Sequence, residues 1–180
     1  DDAIHDQCSF GDNACVLDLM SASGASEQAL RFYERVGGWA YEFQELGAVD
    51  VVSWVAPFAA STLSGQYLVN GTPNLVDISF YGLSEQDRAD PRFRDTLAGL
   101  PRGFLDNSRF VRMESTEHGT RFIVESDYVR CRACRDVALA QAEIAYDLDA
   151  EGVFQGTRLL RVAATGEQTK AASHAPHPGP

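Results

Sequence analysis

Cys131-Arg132-Ala133-Cys134 is the sharpest chemical pattern in the chain. A Cys-x-x-Cys pair can cycle between dithiol and disulfide, and where it opens a helix the helix N-terminus depresses the pKa of the first thiol. Arg130, Arg132 and Arg135 would stabilise a thiolate further. The surroundings argue against redox work. The residues after Cys134 alternate at period two, as in a strand, and no aromatic-Cys-Gly-x-Cys pattern is present. A structural disulfide at the approach to a strand is the expectation. Cys8 and Cys15 are close enough in sequence to close a small loop, and short loops cost less entropy to close. Four cysteines allow three pairings. Cys8–Cys15 with Cys131–Cys134 is the expected one, set against a long-range link from Cys8 to Cys131 or Cys134. A four-cysteine zinc site wants two closely spaced pairs, and only one qualifies, so neither metal nor cofactor is expected.

Other chemistry is poorly represented. His5, His174 and His177 lie near the ends of the chain, which leaves His118 as the one histidine expected in an ordered turn. A nucleophile–histidine–carboxylate set needs more than that, and Ser64-Gly65 lacks the first half of a Gly-x-Ser-x-Gly elbow. Asp147-Leu148-Asp149-Ala150-Glu151 lacks the ligand spacing of a calcium loop. Gly37-Gly38 follows a helix instead of preceding one, so it cannot cradle a phosphate. No catalytic residue is assigned. The aromatic series Trp39, Tyr41, Phe43, Trp54 and Phe58 is read as core, with a ligand pocket as the alternative. Two turns, Asn70-Gly71-Thr72 and Glu117-His118-Gly119, are the candidate surfaces for binding a partner.

These residues must be placed by the elements around them. Ser26 is positioned to cap a helix whose Ala29, Phe32, Tyr33 and Val36 recur at helical spacing and which Gly37-Gly38 ends. A short helical stretch precedes it at Cys15–Met20. Period two then takes over. Trp39–Phe43 reads as a strand with one face buried, followed by strands at Val49–Val55, Gln66–Val69 and Asn74–Ile78, the last two joined at Asn70-Gly71. A polar helical region spans Ser84–Leu100, with Asp90-Pro91 as a helix start and Phe93, Leu97 and Leu100 inward. Arg109–Met113 and Arg121–Val129 form a further hairpin. Ala138–Leu148 and Val153–Val162 form the last, turning at Asp149–Gly152.

The fold class so derived is α+β: two to three helices, clearest near the N-terminus, packed on an antiparallel sheet of about six to eight strands joined by hairpins. Residues 1–163 are expected as a single disulfide-stapled domain, and residues 164–180 as a flexible tail rich in Ala, Gly, Ser, His and Pro.

Composition narrows the compartment. The chain has 180 residues and a net charge of −11. Residues 1–50 hold ten acids against two bases, and a chain so acidic argues against nucleic acid as a partner. No apolar run approaches the roughly 18 residues of a membrane span. Fourteen arginines stand against one lysine, Lys170, a skew typical of GC-rich bacterial genomes. With four cysteines and Asp1 in place of an initiator Met, the expectation is a protein exported with a cleaved signal peptide to the periplasm or medium. The preferred function is a non-enzymatic envelope protein that binds another protein of basic character, of inhibitor or immunity type against a basic hydrolase. The alternatives are a thiol-disulfide redox protein using Cys131 and Cys134, and a periplasmic carrier of a small molecule or lipid.

Overall fold

The computed structural model describes residues 6–9, 11–56, 64–131 and 138–165. Four helices and eight strands run wholly within them: α1 (Asn13–Ala22), α2 (Glu27–Val36), β1 (Trp39–Gln44), β2 (Asp50–Val55), β3 (Ser64–Val69), β4 (Leu75–Asp77), α3 (Glu85–Ala89), α4 (Pro91–Ala98), β5 (Phe104–Thr116), β6 (Gly119–Val129), β7 (Ala140–Asp149) and β8 (Phe154–Ala164). The class is α+β. The strands divide into two antiparallel sheets of four, ordered β1-β2-β3-β4 and β5-β6-β7-β8, so within each sheet strands pair only with their neighbours in sequence.

The helices begin and end where local chemistry dictates. Ser26 accepts the Ala29 N–H at 3.2 Å to start α2, Glu27 pairs with Arg31 one turn on, and Gly37 stops the helix at φ 72°. Asp12 caps α1 by accepting from the Cys15 N–H. The polar stretch after Ser84 forms two helices because Asp90 ends one and caps the next, with Pro91 in first position. Phe93 on α4 is fully buried, which contributes roughly 2–3 kcal/mol.

The main core lies between the sheets. Val51 and Leu68 of the first sheet face Phe122, Val124, Ile144, Tyr146 and Leu148 of the second, with Phe93 and Tyr81 closing one side. On the other face of the first sheet, the Phe32 ring of α2 meets Tyr67 edge-on, centroids 6.1 Å apart. A second, smaller cluster joins α1 to α2 through Cys8, Val16 and Tyr33. The alternations read along β6 and β7 hold in the structure, since Phe122, Val124 and Tyr128, and Ala140 through Leu148 by twos, all point into the core.

The first aromatic strand differs from its sequence reading. Tyr41 and Phe43 are 62% and 52% exposed, and four consecutive residues of β1 face solvent. β1 is an edge strand, and a bulge between Ala40 and Glu42 breaks the alternation that would have buried one face. Trp54, on the neighbouring β2, is buried as expected, while Phe58 lies outside the described residues.

The outer face of the second sheet carries a lattice of opposite charges. Glu125 pairs with Arg109, Glu143 with Arg112 and Arg161, and Asp147 with Arg121 and Arg158. Exposed pairs of this kind contribute about 0–1 kcal/mol each. Their larger effect is to neutralise this face.

Candidate functional site: the end formed by four turns

Four hairpin turns meet at one end of the molecule, and Asp50 joins the first two. One of its oxygens accepts the backbone N–H groups of Leu46 (2.8 Å) and Gly47 (3.3 Å), which shapes the β1–β2 turn. The other accepts the Asn70 side-chain amide at 2.7 Å and so fixes the β3–β4 turn. Asn70 itself is left-handed, at φ 70°, a conformation Asn tolerates because its short polar side chain bonds locally. Its own N–H donates to Asn74.

The β3–β4 turn is then laid against the β7–β8 turn. The Thr72 N–H donates to the Gly152 carbonyl at 2.9 Å, and the Phe154 N–H donates to the Thr72 carbonyl at 2.8 Å. The two backbones approach so closely at Gly71 and Gly152 that a Cβ on Gly71 would stand 2.7 Å from the Gly152 oxygen. Asp149 organises the β7–β8 turn as Asp50 does the first. It accepts from the N–H groups of Glu151 and Val153 and from the Gln155 amide. Gly119, at the foot of the β5–β6 turn, sits directly opposite Asp149 in register.

The two turns singled out in the sequence are thus brought to the same end. Neither is a free loop. Asn70 and Thr72 are both exposed, but Asn70 is tied through its side chain and its N–H and Thr72 through its backbone, while Glu117 and His118 form the exposed tip beyond Gly119. The residues that organise the end, Asp50 and Asp149, are not signalled by any motif. Their one cue is an aspartate placed where a strand meets a turn, the arrangement in which a carboxylate captures nearby backbone N–H groups.

Between the turns lies a small recess of about 60 Å³ of mixed polar and apolar lining, formed by Leu46, Met113, Phe122 and Leu148 together with Thr120 and Asp149. Sites for drug-sized ligands run to roughly 300–1,000 Å³. The recess is too small for such a ligand.

Charge at this end has a single sign. The turns at residues 45–50, 70–74, 116–119 and 149–153 contain Glu45, Asp50, Glu117, Asp149 and Glu151, and neither Lys nor Arg. Glu45, Glu117 and Glu151 are exposed, and among the described residues none of them has an ion pair. The contrast with the neutralised outer face of the second sheet is direct.

The cysteines lie elsewhere in the chain. Cys8 and Cys15 are disulfide-bonded, their Cα atoms 5.7 Å apart, which excludes the long-range link from Cys8. Cys131 is also disulfide-bonded, and Cys134 lies outside the described residues, as does the tail from residue 166. No helix among the described residues is long and apolar enough to cross a membrane. No protein-family model, no curated protein and no solved structure matches this chain.

Proposed function

We propose that this protein is a non-enzymatic binding protein of the bacterial envelope that engages a basic protein, of the inhibitor or immunity type against a basic hydrolase, through the end formed by its four turns. One observation carries the reading: a rigid, closely tied set of turns presents acids without a single cation. Turns already fixed by Asp50, Asp149 and the Thr72 backbone lose little freedom when a partner docks. Unpaired acids on such a surface draw a basic partner in and favour it over an acidic one. Inhibition needs no catalytic group on this chain, only a firm surface to cover the partner's site.

The test is binding of the immobilised protein to purified cationic hydrolases of the muramidase, ribonuclease and serine protease classes across a salt series. The expected result is association with one class that slows as salt rises and weakens by roughly tenfold or more in the double variant Glu117→Lys, Glu151→Lys. Absence of binding to all classes at about 100 μM, or binding indifferent to salt and to both substitutions, would sink the proposal.

A further inference from the structure

We propose that β1 is the docking edge for this partner and accepts an extended, cationic segment of it as a fifth strand of the first sheet. The inference rests on the partner-binding reading and adds the mode of engagement and the chemistry of the bound segment.

Among the described residues β1 is an edge strand whose residues 40–43 stay exposed, although α2 contacts this strand and a bulge falls between Ala40 and Glu42. β4 is three residues long, and the turn before it is bonded to the start of β8. α4 packs against β8. β5 is broken by two register shifts, and the Phe110 N–H, facing away from β6, is capped by the side chain of Gln66. β1 instead shows Ala40, Tyr41, Glu42 and Phe43 exposed in succession, with two of the most exposed large apolar side chains among the described residues. It carries neither Lys nor Pro, and its bulge between Ala40 and Glu42 leaves Glu42, Phe43 and Gln44 as the regular stretch for pairing. An added strand would take its affinity from main-chain hydrogen bonds and its selectivity from side chains resting on Tyr41 and Phe43.

Charge decides the occupant. From Val36 to Asp87 the chain has no Lys or Arg at all, while residues 39–77, which hold the whole first sheet, carry Glu42, Glu45, Asp50 and Asp77. A second copy of this chain would set acid beside acid along that edge. A segment alternating Arg or Lys with apolar residues would meet Glu42 and Glu45 with opposite charge and the two aromatics with apolar surface. β1 also runs directly into the turn whose Leu46 lines the recess, so the strand edge continues into the acidic end.

The probe is a fluorescent octapeptide of alternating arginine and valine, beside the same peptide N-methylated at alternate amides, which keeps its charge but blocks one hydrogen-bonding edge. Anisotropy titrations are run with the unaltered protein, with Phe43→Ser, with Tyr41→Ser, and with the Glu117→Lys, Glu151→Lys variant. Both aromatic changes lie at exposed positions, and circular dichroism checks that the fold is kept. The expected outcome is binding weakened about tenfold or more by N-methylation and by Phe43→Ser. Equal binding of the two peptides, affinity within about twofold in both aromatic variants, or no binding up to about 1 mM would overturn the strand addition. A hydrolase that binds through Glu117 and Glu151 yet ignores Phe43→Ser and Tyr41→Ser leaves the partner reading standing and overturns the docking edge alone.

Discussion

The side-chain carbonyl of Gln66 accepts the backbone N–H of Phe110 at 2.6 Å, which joins β3 of one sheet to β5 of the other. The same Gln66 donates its amide to the Ser53 hydroxyl at 3.0 Å, and Ser53 donates to Glu42 at 3.2 Å. A chain of polar contacts thus runs from the first strand to the second sheet through a largely apolar layer. Such chains stabilise only when every member is satisfied.

Gln66→Leu removes both the acceptor for Phe110 and the donor to Ser53. It is expected to lower the stability by about 1–3 kcal/mol, since a half-buried N–H is left without a partner. Gln66→Glu keeps the acceptor and is expected to cost less at neutral pH. Urea denaturation followed by circular dichroism ranks the two variants; a larger loss in the glutamate variant would contradict the assignment.

Asp50 is 6% exposed and satisfies three donors in two turns. Asp50→Ala leaves all three unpaired and is expected to cost about 2–4 kcal/mol. Amide hydrogen exchange should quicken at Leu46 and Gly47 together with the Asn70 turn. Exchange confined to one of the turns would show that Asp50 does not couple them.

Asp106 and Asp127 stand directly opposite each other in the β5–β6 pair, and one oxygen of Asp106 is buried without a hydrogen-bond partner. Here the expected sign reverses. Asp106→Asn relieves a like-charge pair and supplies a donor toward Asp127, for a gain of about 1 kcal/mol in the urea midpoint analysis. A loss of stability would mean that the unpartnered oxygen has a role not visible in its surroundings.

Tyr146 and Tyr81 report on alkaline stability. Burial raises the Tyr146 phenol, helped by the charges of Asp77 and Tyr81. Burial also raises Tyr81, with the hydrogen bond and charge of Asp87 adding to it. Both folded-state values lie above the ordinary value near 10, so the folded chain keeps protons that the unfolded chain releases. The stability they contribute is complete below pH 10 and declines as pH rises above it. Tyrosinate absorbance from these two rings should appear only as the circular dichroism of the sheets is lost. Full ionisation of all tyrosines before unfolding would refute it.

Much of this fold was legible because its signals are local. Ser26 and Gly37 mark α2 by capping chemistry alone, Asn70-Gly71 marks a hairpin, and the alternation along Phe122–Tyr128 and Ala140–Leu148 assigns the buried face. The division into two sheets was not legible, because hairpin signals are the same whether successive hairpins share a sheet or not. Tyr41 and Phe43 misled for a related reason: alternation shows that a strand has faces, but only the sheet order shows that β1 is an edge. Of the candidate site, Asn70–Thr72 and Glu117–Gly119 could be found as turns. Their meeting at one end depends on contacts such as Thr72 with Gly152, which no short window of sequence contains.

Within each sheet, strands pair only with their sequence neighbours, and this bears on the order in which the molecule can assemble. Closing each hairpin starts at its turn and reaches partners such as Phe104 with Val129 and Gly119 with Asp149, still nearer in sequence than the partners that join the sheets, so each four-stranded sheet is expected to form first. Joining the sheets is different, because Gln66 and Phe110 are 44 residues apart. The contacts between sheets are therefore expected to form on the late side of the folding barrier, so that Gln66→Leu should hasten unfolding while leaving the refolding rate nearly unchanged. On this view Gln66 acts as a latch: it sets how long the two preformed halves stay together and has little say in how fast they find each other.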